Sequence, residues 1–128
     1  MATIKQKVVI PAEPDEVYDA YMSSEKHATF TGSAAKIDAK IGGEFTAWDG
    51  YIMGRNLELE KGKKIVQEWR TTEWPENNPP SHLEIALKKV KGGTELTLNH
   101  TDVPDEQAED YRKGWIDFYW EPLKKYFE

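Results

Sequence analysis

No cysteine occurs anywhere in the chain. That absence excludes a disulfide framework, a thiolate zinc site and a cysteine nucleophile, and it suits a protein expected in the reducing cytoplasm. Basic residues are short relative to acidic ones, 17 against 23, which leaves a net charge of −6. A surface that tracks phosphate backbones needs the opposite sign, so nucleic acid is not an expected partner. Long apolar runs are missing as well: none approaches the ~18 residues of a membrane span, and the opening MATIKQKVVI lacks the apolar centre of a signal peptide. Histidine is scarce and scattered. His27, His82 and His100 share no i, i+4 spacing, so neither a metal nor a cofactor is expected. There is also no glycine-rich phosphate loop and no local nucleophile–base pair, and no catalytic residue is nominated.

What the chain has instead is aromatic surface. Five Trp, six Tyr and four Phe among 128 residues give far more ring area than a disordered acidic chain carries. The length suits one domain, residues 1–128, around one core.

The pattern along the chain predicts the elements of that domain. A β-branched run from Thr3 to Ile10 ends at Pro11. Pro14 and the acids Asp15 and Glu16 then open a helix with Val17, Ala20 and Tyr21 on one face. Ser24 reads as the cap of a second short helix that closes near Thr31-Gly32. Asp49-Gly50 is a tight-turn pair joining a strand from Glu44 to Trp48 with one from Tyr51 to Leu59. Further strands are expected from Lys64 to Thr72, His82 to Val90 and Thr94 to Asp102, the last two joined at Lys91-Gly92-Gly93. Leu83, Ile85 and Leu87 share one face, as do Leu96 and Leu98, so one side of the sheet is buried.

The segment after Pro104 reads as a long helix, acidic at Asp105-Glu106 and basic at Lys124-Lys125, in accord with the helix dipole. Its broad aromatic face holds Ala108, Tyr111, Trp115, Phe118, Tyr119 and Tyr126, flanked by Ile116, Leu123 and Phe127. Pro122 is expected to kink or restart it near Phe118. A strand, two short helices, an antiparallel meander and a closing helix together predict an α+β domain of the helix-grip kind. In it, a curved antiparallel sheet wraps the last helix.

Several motifs in that order carry a resemblance. They are Pro14-x-x-Val17-Tyr18-x-Ala20, Phe30-Thr31-Gly32, Gly42-Gly43-x-Phe45, Asp49-Gly50 with Gly54, Ile65-Val66-Gln67-x-Trp69-Arg70, Trp74-Pro75, Thr94-Glu95-Leu96, and Val103-Pro104 leading to Gly114-Trp115. Over nearly its whole length the chain resembles the family of activators of the ninety-kilodalton heat-shock chaperone's ATPase. That family lies within the START-like superfamily of polyketide cyclases and lipid-transport proteins. Within the family, the chain is similar to the C-terminal domain of the eukaryotic co-chaperones. The resemblance implies a helix-grip fold, a cavity under the last helix, and two partner classes: a small hydrophobic ligand or a heat-shock chaperone in a stress-response setting. A cyclase- or hydrolase-like activity in the cavity is a third reading.

The residues offer candidates for such a cavity. Phe45, Trp69, Tyr111, Trp115 and Tyr119 suit the walls around an apolar guest, although aromatic stripes at this spacing also build cores. His100 continues the inward phase of Leu96 and Leu98 and is the leading polar candidate, with a satisfied structural imidazole as its alternative. Arg55, in phase with Tyr51, Met53, Leu57 and Leu59, and Asp49, in phase with Phe45 and Ala47, come next. Gly54 reads either as a β-bulge or as space for a guest, and Gly114 either as a close helix–sheet approach or as such space. Trp74, in the Pro/Asn-rich stretch ending at Pro80, is a partner-contact anchor or a ring folded back over the sheet.

Overall fold

Pro11 closes the first strand, β1 (Ala2–Ile10), in the computed structural model, which describes residues 1–128. Proline occupies the first helical position of α1 (Pro14–Met22), and the Glu13 N–H donates to Glu16 Oε1 at 3.0 Å, half of a capping box. The cap of α2 (Ser24–Thr31) is Ser23 rather than the expected Ser24: its hydroxyl accepts from the Lys26 N–H at 3.2 Å. Ser24 instead accepts from the Ile37 N–H at 2.8 Å, which ties α2 to the short strand β2 (Lys36–Ile37). Gly32 ends α2 in the left-handed conformation at φ 77°.

The strands β3 (Glu44–Ala47), β4 (Ile52–Glu60), β5 (Lys64–Thr71), β6 (Ser81–Val90) and β7 (Gly93–Val103) follow as an antiparallel meander. The seven-stranded sheet has the order β1-β7-β6-β5-β4-β3-β2. Helices α1 and α2 therefore carry the chain from one edge of the sheet to the other, and β7 returns against β1 with His100 opposite Ile4. The inward face alternates as read in β6 and β7, where Leu83, Ile85, Leu96 and Leu98 are all buried.

Two expectations about phase fail here. Trp48, Asp49 and Gly50 all have positive φ, 54°, 57° and 88°. The turn thus consumes Trp48 to Tyr51, and Asp49 leaves the strand for solvent. In β4 a bulge between Asn56 and Glu58 shifts the register. Ile52, Gly54 and Asn56 lie opposite Thr71, Trp69 and Gln67, so Arg55 points outward and pairs with Glu68 at 2.8 Å. The alternation that placed Arg55 inside ran across a bulge that adds one residue.

The closing helix crosses the concave face in three parts: α3 (Ala108–Trp115), a π-helical turn over Ile116–Trp120, and α4 (Glu121–Tyr126). Pro122 has no N–H for the Phe118 carbonyl, and the Glu121 N–H bonds the Ile116 carbonyl five residues back. The wider turn rotates the face. Tyr119 and Trp120 are both buried, while Phe118, expected inside, is 56% exposed. Trp120 Nε1 donates to Gln6 Oε1 at 2.7 Å and Gln6 Nε2 to the Arg112 carbonyl at 2.9 Å, fastening the helix to β1. No helix is long and apolar enough to cross a membrane.

Candidate functional site

Most of the space between helix and sheet is filled by rings. Trp69 meets His100 at 4.8 Å, Trp115 meets Tyr119 at 4.8 Å, and Trp115 stacks on Trp120 at 5.3 Å between centroids. Where α3 and the π turn pass the β3–β4 turn, the rings stop short and leave a cleft of about 520 Å³. Trp69, Trp115, Tyr119 and Ile52 supply buried wall; Tyr111, Gly114 and Phe118 come from the helix, and Trp48 and Tyr51 from the turn. Glu73, Gln107 and Asp110 complete the lining.

Local backbone choices make this opening. Trp48 holds a left-handed conformation that a bulky residue adopts only under constraint. The constraint is visible: its ring packs edge-on to Phe118 at 5.5 Å and to Tyr119 at 6.3 Å. Phe118 reaches that position because of the π turn, so Pro122 and Trp48 together set one lip of the cleft. Gly114 is not a point of close approach, since a Cβ built there meets only Phe118 Cδ2, at 3.8 Å. The missing side chain faces open space. Gly54 is different and is not itself the bulge: a Cβ there would sit 1.9 Å from the Glu68 carbonyl oxygen and 2.8 Å from Phe45 Cζ. Phe45 covers that glycine within the core and does not line the cleft.

Trp74, Arg70 and Tyr51, around the cleft, are held by polar partners. Trp74 is folded back, 4% exposed, with Nε1 donating to Tyr111 Oη at 2.8 Å and Gln107 Oε1 at 2.9 Å. The reading of Trp74 as an exposed anchor is thereby corrected: an indole N–H needs an acceptor, and Tyr111 of α3 and Gln107 just before it provide two. Arg70 locks the same loop, donating to the carbonyls of Trp74, Pro75 and Asn78 at 3.2, 2.9 and 2.9 Å. Tyr51 Oη donates to the Glu73 carboxylate. Burial first, and that bond second, push the Tyr51 phenol well above its ordinary range.

His100 lies beneath the wall and not in it. Ser81 Oγ gives its proton to the Trp69 carbonyl at 2.6 Å, so it accepts from His100 Nε2–H at 2.7 Å, and His100 Nδ1 accepts from Trp115 Nε1 at 3.2 Å. The ring is neutral and saturated; burial, with the nearby His82 adding a smaller push, lowers its pKa to about 3. Its satisfied structural role is the one the geometry realises: it fixes Trp69 and Trp115.

His27 does the same for Tyr119 and was not among the sequence candidates. Its Nδ1–H donates to the Tyr21 carbonyl at 2.8 Å, and Nε2 accepts from Tyr119 Oη at 3.0 Å. Burial lowers the His27 pKa and raises that of Tyr119. A buried chain from Tyr21 Oη to Gln67 Oε1 (3.4 Å) and from Gln67 Nε2 to Asn56 Oδ1 (2.9 Å) was also missed. Gln67 was legible, since it alternates in phase with Ile65 and Trp69.

Of the expected wall residues, Trp69, Tyr111, Trp115 and Tyr119 converge on the cleft, whereas Phe45, Asp49, Arg55 and His100 do not line it. With both nearby imidazoles neutral and fully partnered, the walls offer shape and apolar surface, and Glu73 and Asp110 are the charged groups of the lining.

Comparisons with known proteins agree with this architecture. Residues 11–128 match the family described as "Activator of Hsp90 ATPase homolog 1-like protein". The human protein named "Activator of 90 kDa heat shock protein ATPase homolog 1" is 31% identical over 124 residues, covering 97% of this chain and 36% of that protein. The chain spans about a third of the length of the curated relatives it matches. A crystal structure of an HSP90 activator from Plasmodium falciparum superposes with a TM-score of 0.88 at 24% identity, over 97% of this chain and 94% of that one. The solution structure of the Aha1 dimer from Colwellia psychrerythraea gives 0.81 at 19%, over 100% and 97%. At those identities the two structures speak for the fold.

Proposed function

This chain belongs to the Activator of Hsp90 ATPase homolog 1-like family, and from that premise we propose that it is a binding module. Its aromatic cleft takes an apolar or amphipathic small molecule. The observation that carries this reading is the unfilled space itself: about 520 Å³, with eight of twelve lining residues hydrophobic. That lies within the roughly 300–1,000 Å³ of small-molecule sites, and such sites combine apolar walls with a few polar groups. The test is titration with Nile red, an uncharged solvatochromic dye. Saturable binding at one dye per chain is expected, abolished in Gly114→Leu, whose side chain grows into the cleft while the folded structure keeps its thermal stability. Absence of saturable binding to the unaltered chain, or undiminished binding to the variant, overturns the reading.

A second reading rests on the relatives' names and the 31% identity along nearly all of this chain: the protein acts on a ninety-kilodalton heat-shock chaperone and raises its ATPase rate. Because the chain corresponds to only 36% of that relative, the activity of the whole relative is a proposal here. Adding the purified chain to such a chaperone and following phosphate release decides it. A dose-dependent rise supports the reading, and an unchanged rate with no complex on size-exclusion chromatography removes it.

A further inference from the structure

We infer that the guest of the cleft is a cationic amphiphile, an apolar tail or ring system bearing an ammonium-type head. This rests on the reading of the cleft as a small-molecule site and adds the sign of the guest's charge. The lining contains two carboxylates, Glu73 and Asp110, and no Lys, Arg or His. Neither carboxylate takes part in any of the molecule's ion pairs. Glu73 accepts one hydrogen bond, from Tyr51, which leaves further lone pairs directed elsewhere.

The bases nearest in sequence are committed or set apart. Arg112 pairs with Glu109 at 3.3 Å, Arg70 is held by the three carbonyls of its own loop, and Lys113 is exposed and outside the lining. The walls suit a cation too. Tryptophan and tyrosine faces attract a positive charge through the ring quadrupole, and Trp48, Tyr51, Trp69, Tyr111 and Trp115 all border the space. A carboxylate-headed guest such as a fatty acid meets two like charges and finds no donor cation. The chain's net charge of −6 biases encounter the same way.

Three eight-carbon probes of matched tail separate the possibilities by calorimetric titration: octyltrimethylammonium, octyl glucoside and octanoate, each below its micellar concentration. The cation is expected to bind about tenfold or more tighter than the anion, with the neutral probe between them. That preference should shrink in the Glu73→Gln/Asp110→Asn double variant and at 1 M salt. Equal binding of all three probes overturns the inference and leaves the cleft reading intact, as does tightest binding of octanoate. If octyltrimethylammonium fails to bind, the inference falls, and the uncharged dye then shows whether the cleft reading falls with it.

Discussion

Replacing Gly114 with alanine is expected to stabilise the protein, because the position combines a helical backbone with empty space. Gly114 lies inside α3, where glycine costs about 0.8–1 kcal/mol relative to alanine through the backbone freedom it loses on folding. The added Cβ meets a single atom, Phe118 Cδ2, at an ordinary contact distance of 3.8 Å, so no steric cost offsets that gain. The expected change is about +1 kcal/mol, or roughly 3–5 °C in Tm for a chain of this size. Urea denaturation at neutral pH measures it: the midpoint should rise at unchanged slope. A neutral or destabilising result would mean that the methyl group meets packed atoms, and the cleft wall would not be where the structure places it.

Three further substitutions probe the surroundings. Gly54→Ala should do the opposite, losing about 3 kcal/mol or more in the same assay, because its Cβ would overlap the Glu68 carbonyl oxygen at 1.9 Å; a midpoint within error of the unaltered protein would contradict the Phe45 seat. His100 has a folded-state pKa of about 3 against an ordinary 6.5, so the folded state refuses a proton that the unfolded chain accepts. Its contribution is whole above about pH 6.5 and is lost as pH falls from there toward 3, at about 1.4 kcal/mol per pH unit. Comparing that slope with His100→Gln isolates the imidazole, and equal slopes refute its neutrality. Trp74→Phe removes the donor that Gln107 and Tyr111 share and should cost about 1–2 kcal/mol, read by thermal melts; an unchanged Tm would argue that the loop does not depend on α3.

How much of this was visible in the sequence differs by physical cause. Strand alternation and helix phase are local, and they located the meander, the helical hairpin, and the placement of Trp69, Tyr111, Trp115 and Tyr119 toward the concave face. Arg55 and Asp49 went wrong where the backbone departs from regularity. A one-residue bulge in β4 and three consecutive left-handed residues leave no periodic trace. Pro122 announced a break but not its form, and the π turn is why Trp120 is buried while Phe118 stands at the rim. Trp74 depended on acceptors 33 and 37 residues away, a pairing no local pattern encodes. The inward phase of His100 was correct. Depth was the missing quantity: a side chain can face the helix and still lie under the rings that form the wall.

The claim that an apolar guest enters beneath the C-terminal helix is tested most directly by amide NMR of the labelled protein titrated with octyl glucoside below its micellar concentration. The account expects saturable shifts confined to the lining: Trp48, Tyr51, Ile52, Trp69, Glu73 and the stretch from Gln107 to Tyr119. Shifts that never saturate, or that gather around Gln6 and Trp120 on the far side of the helix, would contradict it.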